Sequence, residues 1–186
     1  MIDLTKAVMP CAVTVRGRTY RIKTHHYYWV RFSELIREKD VTLDAFDWLY
    51  EGEEVARGFA AGKVPDDRQA GLDELLKFFA PHEPLPNVDG EDERARTFDF
   101  AADGSMIYAA FMQCYGIDLV DTPLHWHKFL ALFNNIIGTR FNDIVGYRLY
   151  ERSDEEHADA MERLRLAWEL PQEHGGSLDR FNAQFD

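Results

Sequence analysis

Cysteine is nearly absent: Cys11 and Cys114 are the only two in 186 residues. A disulfide framework is therefore not expected, and two thiols set among apolar neighbours suit a reducing compartment. No apolar run approaches the ~20 residues that a membrane helix needs. The opening "MIDLTKAVMP" lacks a basic stretch followed by an apolar one, so no secretory signal is expected. Positive charge is also short, with 21 Lys and Arg against 33 Asp and Glu, a formal net charge of −12. Such a surface repels a phosphate backbone, which disfavours nucleic-acid binding, and it keeps a protein well hydrated. There is no G-x-S-x-G elbow and no glycine-rich phosphate loop. What is present is a hydrophobic share of 46% and an aromatic share of 13%, enough for a globular core.

The patterning is mostly helical. In "AVTVRGRTYRIKT", Val13 and Val15, then Tyr20 and Ile22, alternate with polar residues around Gly17, which predicts a two-stranded hairpin. Helical stripes follow. They are Trp29, Phe32, Leu35 and Ile36, after a possible cap at Thr24; then Leu43, Phe46, Leu49 and Tyr50, with Val55, Ala56 and Phe59 continuing past a break at Gly52. Leu72, Leu75, Leu76 and Phe79 follow acidic Asp66 and Asp67 and stop at Pro81. Residues 81–97, rich in proline and charge, predict a mobile loop. Phe98 and Phe100 alternate like an extended entry. A helix then carries Ile107, Ala110, Phe111, Cys114 and Tyr115, capped by Asp103 or Ser105 and stopped at Gly116. Asp121 or Thr122 with Pro123 opens the next, whose stripe is Trp126, Phe129, Leu130, Phe133 and Ile137. "FNDIVGYRLY" is expected as a link to a last helix. That helix opens on a Ser153/Glu156 capping box, carries His157, Met161, Leu164 and Trp168, and closes at Pro171. The expected fold is mainly α: a compact bundle of about six or seven short helices with a small N-terminal β-hairpin. Residues 1–171 form the one expected domain, and 172–186 a polar tail.

Candidate chemistry is thin. "LHWHKF" holds two histidines around a tryptophan, a metal clamp in a strand but not in a helix. Side chains two apart on a helix diverge by about 200°. His125 and His127 are thus expected to flank the Trp126 stripe on opposite sides, as packing residues rather than metal ligands. His25 and His26 are adjacent and also diverge. Cys114 as a nucleophile would need a base such as His125 and an open electropositive setting, whereas its stripe predicts burial. The acidic runs "DGEDE" and "EGEE" suit solvated segments rather than a held catalytic pair. No enzymatic activity, metal or cofactor is expected. Some of the aromatic residues suit a partner-binding face, although core is the default for most.

The order of motifs goes further. The hairpin segment, then Trp29 and Phe32 of "WVRFSEL", then "FDF", "DGSMIYAAFMQCYGIDL", "LHWHKF", "ALF" and "FNDIVGYR", resembles the bacteriophage family named for gene product fifteen. The resemblance spans the chain to about Pro171. It singles out Trp29, Phe32, Ile107, Tyr108, Phe111, Tyr115, Gly116, Trp126, Phe129, Phe133, Tyr147 and Arg148 as core or interface residues. Tryptophan is common in the family where this chain has His127. The resemblance implies a tail assembly chaperone of a long-tailed phage, acting in the host cytoplasm. It would bind the tape measure protein, help recruit tail tube subunits, often self-associate, and be absent from the finished particle. Neither nucleic acid nor membrane is an expected partner. A structural virion component, such as a tail completion or head–tail connector protein, is the alternative. An acidic DNA mimic and a histidine-dependent metalloenzyme fit the apolar stripes less well.

Overall fold

The structure is a computed structural model and describes residues 5, 8–55, 58–61, 64–80, 97–152 and 157–170. Among them the chain is mainly helical, with six α-helices, one 3-10 helix and one four-stranded sheet. It divides into two compact units. One comprises Met1–Pro86, Pro123–Ala131 and Gly175–Asp186; the other comprises Asn87–Thr122 and Leu132–His174. Most of the expected loop (81–96) and the whole tail (172–186) lie outside the described residues, as do Ala56, Pro81 and the Ser153/Glu156 capping box.

The first unit opens with the expected hairpin, β1 (Ala12–Val15) and β2 (Arg18–Ile22), antiparallel with Val13 opposite Tyr20. Arg16 (φ 49°) and Gly17 (φ 78°) both sit in the left-handed region, as a two-residue turn matching strand twist requires. Val13, Val15, Tyr20 and Ile22 are buried, so the period-two pattern turned one face inward. Helix α1 (His26–Leu35) buries Trp29 and Phe32, with Ile36 just past its end. A 3-10 helix (Leu43–Leu49) follows and buries Phe46 and Leu49.

One expectation fails here. The stripe does not continue as a helix past Gly52. The chain enters β3 (Tyr50–Val55) and returns as β4 (Gly58–Ala61), giving the sheet order β1-β2-β3-β4. The free edge of β2 presents unpaired N–H and C=O groups, and β3 satisfies them, with Arg21 opposite Gly52. Gly52 itself adopts φ 149°, outside any helix.

Helix α2 (Arg68–Phe79) lies against β1 and the 3-10 helix. Asp67 caps it, its carboxylate accepting the Ala70 N–H at 3.0 Å. Leu72, Leu75 and Phe78 are buried; Leu76 and Phe79 are half-buried. Helix α4 (Trp126–Phe133) belongs to this unit as far as Ala131. Trp126 and Phe129 complete an aromatic core with Trp29, Phe32, Phe78 and Phe79. Trp29 and Trp126 lie with ring centres 6.4 Å apart, and Phe79 stacks on Trp126 at 5.3 Å.

The second unit holds α3 (Gly104–Tyr115), α5 (Arg140–Arg148) and α6 (Ala158–Ala167). Helices α3 and α5 pack together, burying Ile107, Ala110 and Phe111 of the one and Phe141 and Ile144 of the other; Phe133 and Ile136 are buried too, with the Phe133 ring 5.4 Å from that of Phe141. Gly116 (φ 64°) ends α3 as expected, with its N–H on Met112 O and that of Ile117 on Phe111 O. Two further expectations are corrected. "FNDIVGYRLY" is no link: it forms α5, opened by a reciprocal cap between Thr139 and Asn142. Ile137 does not extend the α4 stripe, because α4 stops at Phe133 and Ile137 is 78% exposed. The carbonyl of Ile136 is instead taken by the Asn142 side chain, which binds the turn to the new helix.

Candidate functional site

The two histidine-bearing motifs, "THHYYW" and "LHWHKF", come together in the first unit. Each motif is extended just before its helix, and the extended pieces pair. His25 and His125 form an antiparallel bridge, His26 N–H donates to Leu124 O at 2.8 Å, and Trp126 N–H donates to Thr24 O at 2.6 Å. His125 therefore lies outside α4, contrary to expectation. Its ring centre stands 5.2 Å from that of His127, where two helical residues at that spacing would diverge.

The ring nitrogens of this pair are mostly committed. His125 Nε2 donates to Pro10 O at 2.8 Å, and its Nδ1 accepts the His127 N–H at 3.2 Å. His127 Nε2 donates to Phe78 O at 2.9 Å, and its buried Nδ1 has no partner. These partners fix the proton on Nε2 in both rings. His26 Nδ1 accepts the Leu124 N–H and its ring stacks on Phe129 at 5.3 Å. Burial holds His26, His125 and His127 below the ordinary histidine value, so all three are neutral near pH 7. Among the described residues, no group of three or more His, Cys, Asp or Glu is gathered to hold a metal.

The motif instead caps a helix from the side. The last carbonyls of any helix lack intrahelical donors. At the end of α2 they are met by α4: His127 serves Phe78 O, and Trp126 Nε1 donates to Phe79 O at 2.8 Å. Consecutive residues offering a ring N–H, an indole and an imidazole, are what that job needs. On α1 the Trp29 indole Nε1 likewise holds a carbonyl, Lys23 O at 2.9 Å, in the segment that leads into its own helix.

The second unit has its own polar centre. Arg148 grips Asp103 bidentately at 2.7 and 2.8 Å, and also donates to Thr97 O at 3.0 Å and Trp168 O at 2.6 Å. Both side chains are below a tenth exposed, at 8% and 5%. Asp103 thus does not cap α3 through its side chain, as the sequence suggested; the carboxylate turns inward to Arg148 and to the Asp99 N–H. One guanidinium ties the segment before α3, the end of α5 and the residue after α6 together.

Trp29, Phe32, Ile107, Phe111, Trp126, Phe129 and Phe133 are buried. Tyr108 donates to Asp118 at 3.0 Å, which lowers that carboxyl further after its bond from Val120 N–H, and Tyr115 donates to Leu132 O at 2.9 Å. Tyr147 is half-buried and Gly116 is exposed. Cys114 is half-buried with its thiol toward Ile137 O, and Cys11 is exposed. Tyr27, Met112, Val120, Leu149 and Leu166 join Ile137 as large apolar residues at the surface. Among the described residues no helix is long and apolar enough to cross a membrane.

The molecule is mainly helical, and most of its motif residues are buried or hold backbone carbonyls. The chain belongs to the phage family described as Bacteriophage Gp15 protein, which it matches over residues 6–170. No curated protein and no solved structure matches it.

Proposed function

We propose that this protein is a tail assembly chaperone of a long-tailed phage or prophage: a non-enzymatic protein that works in the host cytoplasm. Its client is the tape measure protein, whose long helix it keeps from aggregating while tail tube subunits are recruited. The observation that carries this reading is membership of the phage family over nearly the whole chain. Two features support it. The net charge of −12 keeps a carrier hydrated around an aggregation-prone client. His125, His127 and Cys114 are taken up in hydrogen bonds to backbone carbonyls rather than in a nucleophile–base arrangement.

The same family membership also suits a resident virion component, such as a completion or connector protein. Mass spectrometry of purified particles separates the two. The chaperone reading expects the tape measure protein to be detected and this protein to be missing. Stoichiometric amounts in washed particles would replace it with the component reading.

A further inference from the structure

The described cations of this acidic chain are mostly paired: Arg16 with Asp67, Arg68 with Asp47, Lys77 with Glu74. One region of the first unit differs. The Lys23 ammonium sits over two rings, 5.1 Å from the centre of Tyr28 and 5.8 Å from that of Trp48, with no carboxylate beside it among the described residues. Tyr28 and Trp48 are 6.0 Å apart, Tyr27 lies 4.3 Å from Tyr28, and His25 stacks on Tyr28 at 6.3 Å. Tyr27 is 47% exposed. Arg31, one turn on from Tyr27 along α1, is exposed and likewise unpaired. Across the His25–His125 bridge stands exposed Lys128, close enough for its charge to be felt at His125.

We propose that this patch, centred on Lys23, Tyr27, Tyr28 and Trp48 with Arg31 and Lys128 at its margins, is the docking surface for an acidic, apolar-bearing segment of the client protein. The inference rests on the reading of the chain as a binding protein, and it names where and by what chemistry it binds. Arg140 also lies over a ring, that of Trp168, but this patch sets Lys23, Arg31 and Lys128 beside Tyr27, Tyr28 and Trp48, so in a −12 protein, whose surface otherwise repels carboxylates, an acidic segment is steered here. The Lys23 ammonium donates to an incoming carboxylate without first breaking an ion pair. The rings offer contact area with few torsions to freeze, which is why Tyr and Trp anchor interfaces.

The test uses the whole chain, wild type and Lys23→Glu/Arg31→Glu, with folding of both checked by circular dichroism and thermal melting. Two probes are titrated: a synthetic helical peptide of glutamate and leucine, and a single-stranded DNA oligonucleotide. The readouts are amide and indole NMR shifts. Peptide binding is expected to move Tyr27, Tyr28 and the Trp48 indole, to weaken with salt, and to fall roughly tenfold or more in the double variant. Shifts elsewhere, no binding by wild type at millimolar peptide, equal affinity in the variant, or tighter binding of the DNA would each overturn the proposal. Co-purification with the tape measure protein tells the two readings apart. A client held equally by wild type and variant removes this surface and leaves the chaperone. Peptide bound at the patch with no client capture removes the chaperone and leaves the surface.

Discussion

Replacing Arg148 with Met should be among the most damaging changes in the second unit. The substitution keeps an unbranched stem but deletes four hydrogen bonds: two to Asp103, one to Thr97 O and one to Trp168 O. It also strands a carboxylate that is 5% exposed, with the Asp99 N–H as its remaining donor among these contacts. Breaking a buried pair from one side costs about 3–5 kcal/mol, far more than a surface pair. With a urea dependence of about 2 kcal/mol/M, the unfolding midpoint should fall by about 1.5–2.5 M. Trp168, whose carbonyl Arg148 holds and whose ring lies under Arg140, provides a fluorescence report from the same place. Asp103→Asn strands the guanidinium in turn. The double variant Arg148→Met/Asp103→Asn strands neither charge, so its loss should fall well short of the sum of the single losses. A midpoint shift under about 0.5 M for Arg148→Met, or strict additivity in the double variant, would refute the claim that this pair is a buried node.

Other perturbations give smaller, directional outcomes. Burial lowers the affinity of His26, His125 and His127 for protons, so between pH 6.5 and their lowered folded-state values the unfolded chain binds more protons. Their stabilisation is complete above about pH 6.5 and is lost as pH falls, before Asp67 and Asp118 lose theirs at more acid pH. The urea midpoint should therefore drop from pH 7.5 to pH 5; an unchanged or higher midpoint at pH 5 would contradict the neutral, buried placement. Tyr50→Phe should raise stability by about 1 kcal/mol, because the Tyr50 hydroxyl is buried without a partner; a clear loss would mean that it is satisfied. Gly116→Ala should cost about 1 kcal/mol in thermal unfolding, purely from φ 64°, since an added Cβ meets nothing within 4 Å.

Local signals in the sequence were read correctly where one residue type dictates backbone geometry. Gly17 turned the hairpin and Gly116 stopped α3; Asp67, expected only as a charge at the start of α2, proved to cap it through its side chain. Failures came where a partner distant in sequence decides. The stripe from Leu43 to Phe59 looked helical, but the open edge of β2 recruited residues from Tyr50 onward as a strand. Helix α5 was hidden because its cap pairs Thr139 with Asn142 rather than with Glu or Gln, and because Gly146 interrupts the pattern. His125 seemed helical behind Pro123, yet a bridge to His25, one hundred residues away, keeps it extended. Arg148 stood out by resemblance alone; that its partner is Asp103, read as a cap, depends on packing that no local pattern encodes. The role of Trp126 and His127 in capping α2 had a sequence signal, two adjacent ring N–H donors, but no sign of which carbonyls they meet.

The most direct measurement of the proposed function is co-expression with the tape measure protein encoded alongside, followed by pull-down and size-exclusion chromatography. The account predicts that the client, insoluble alone, becomes soluble and elutes in a stable complex with this protein. A well-folded protein that leaves the client in the pellet and elutes by itself would contradict it.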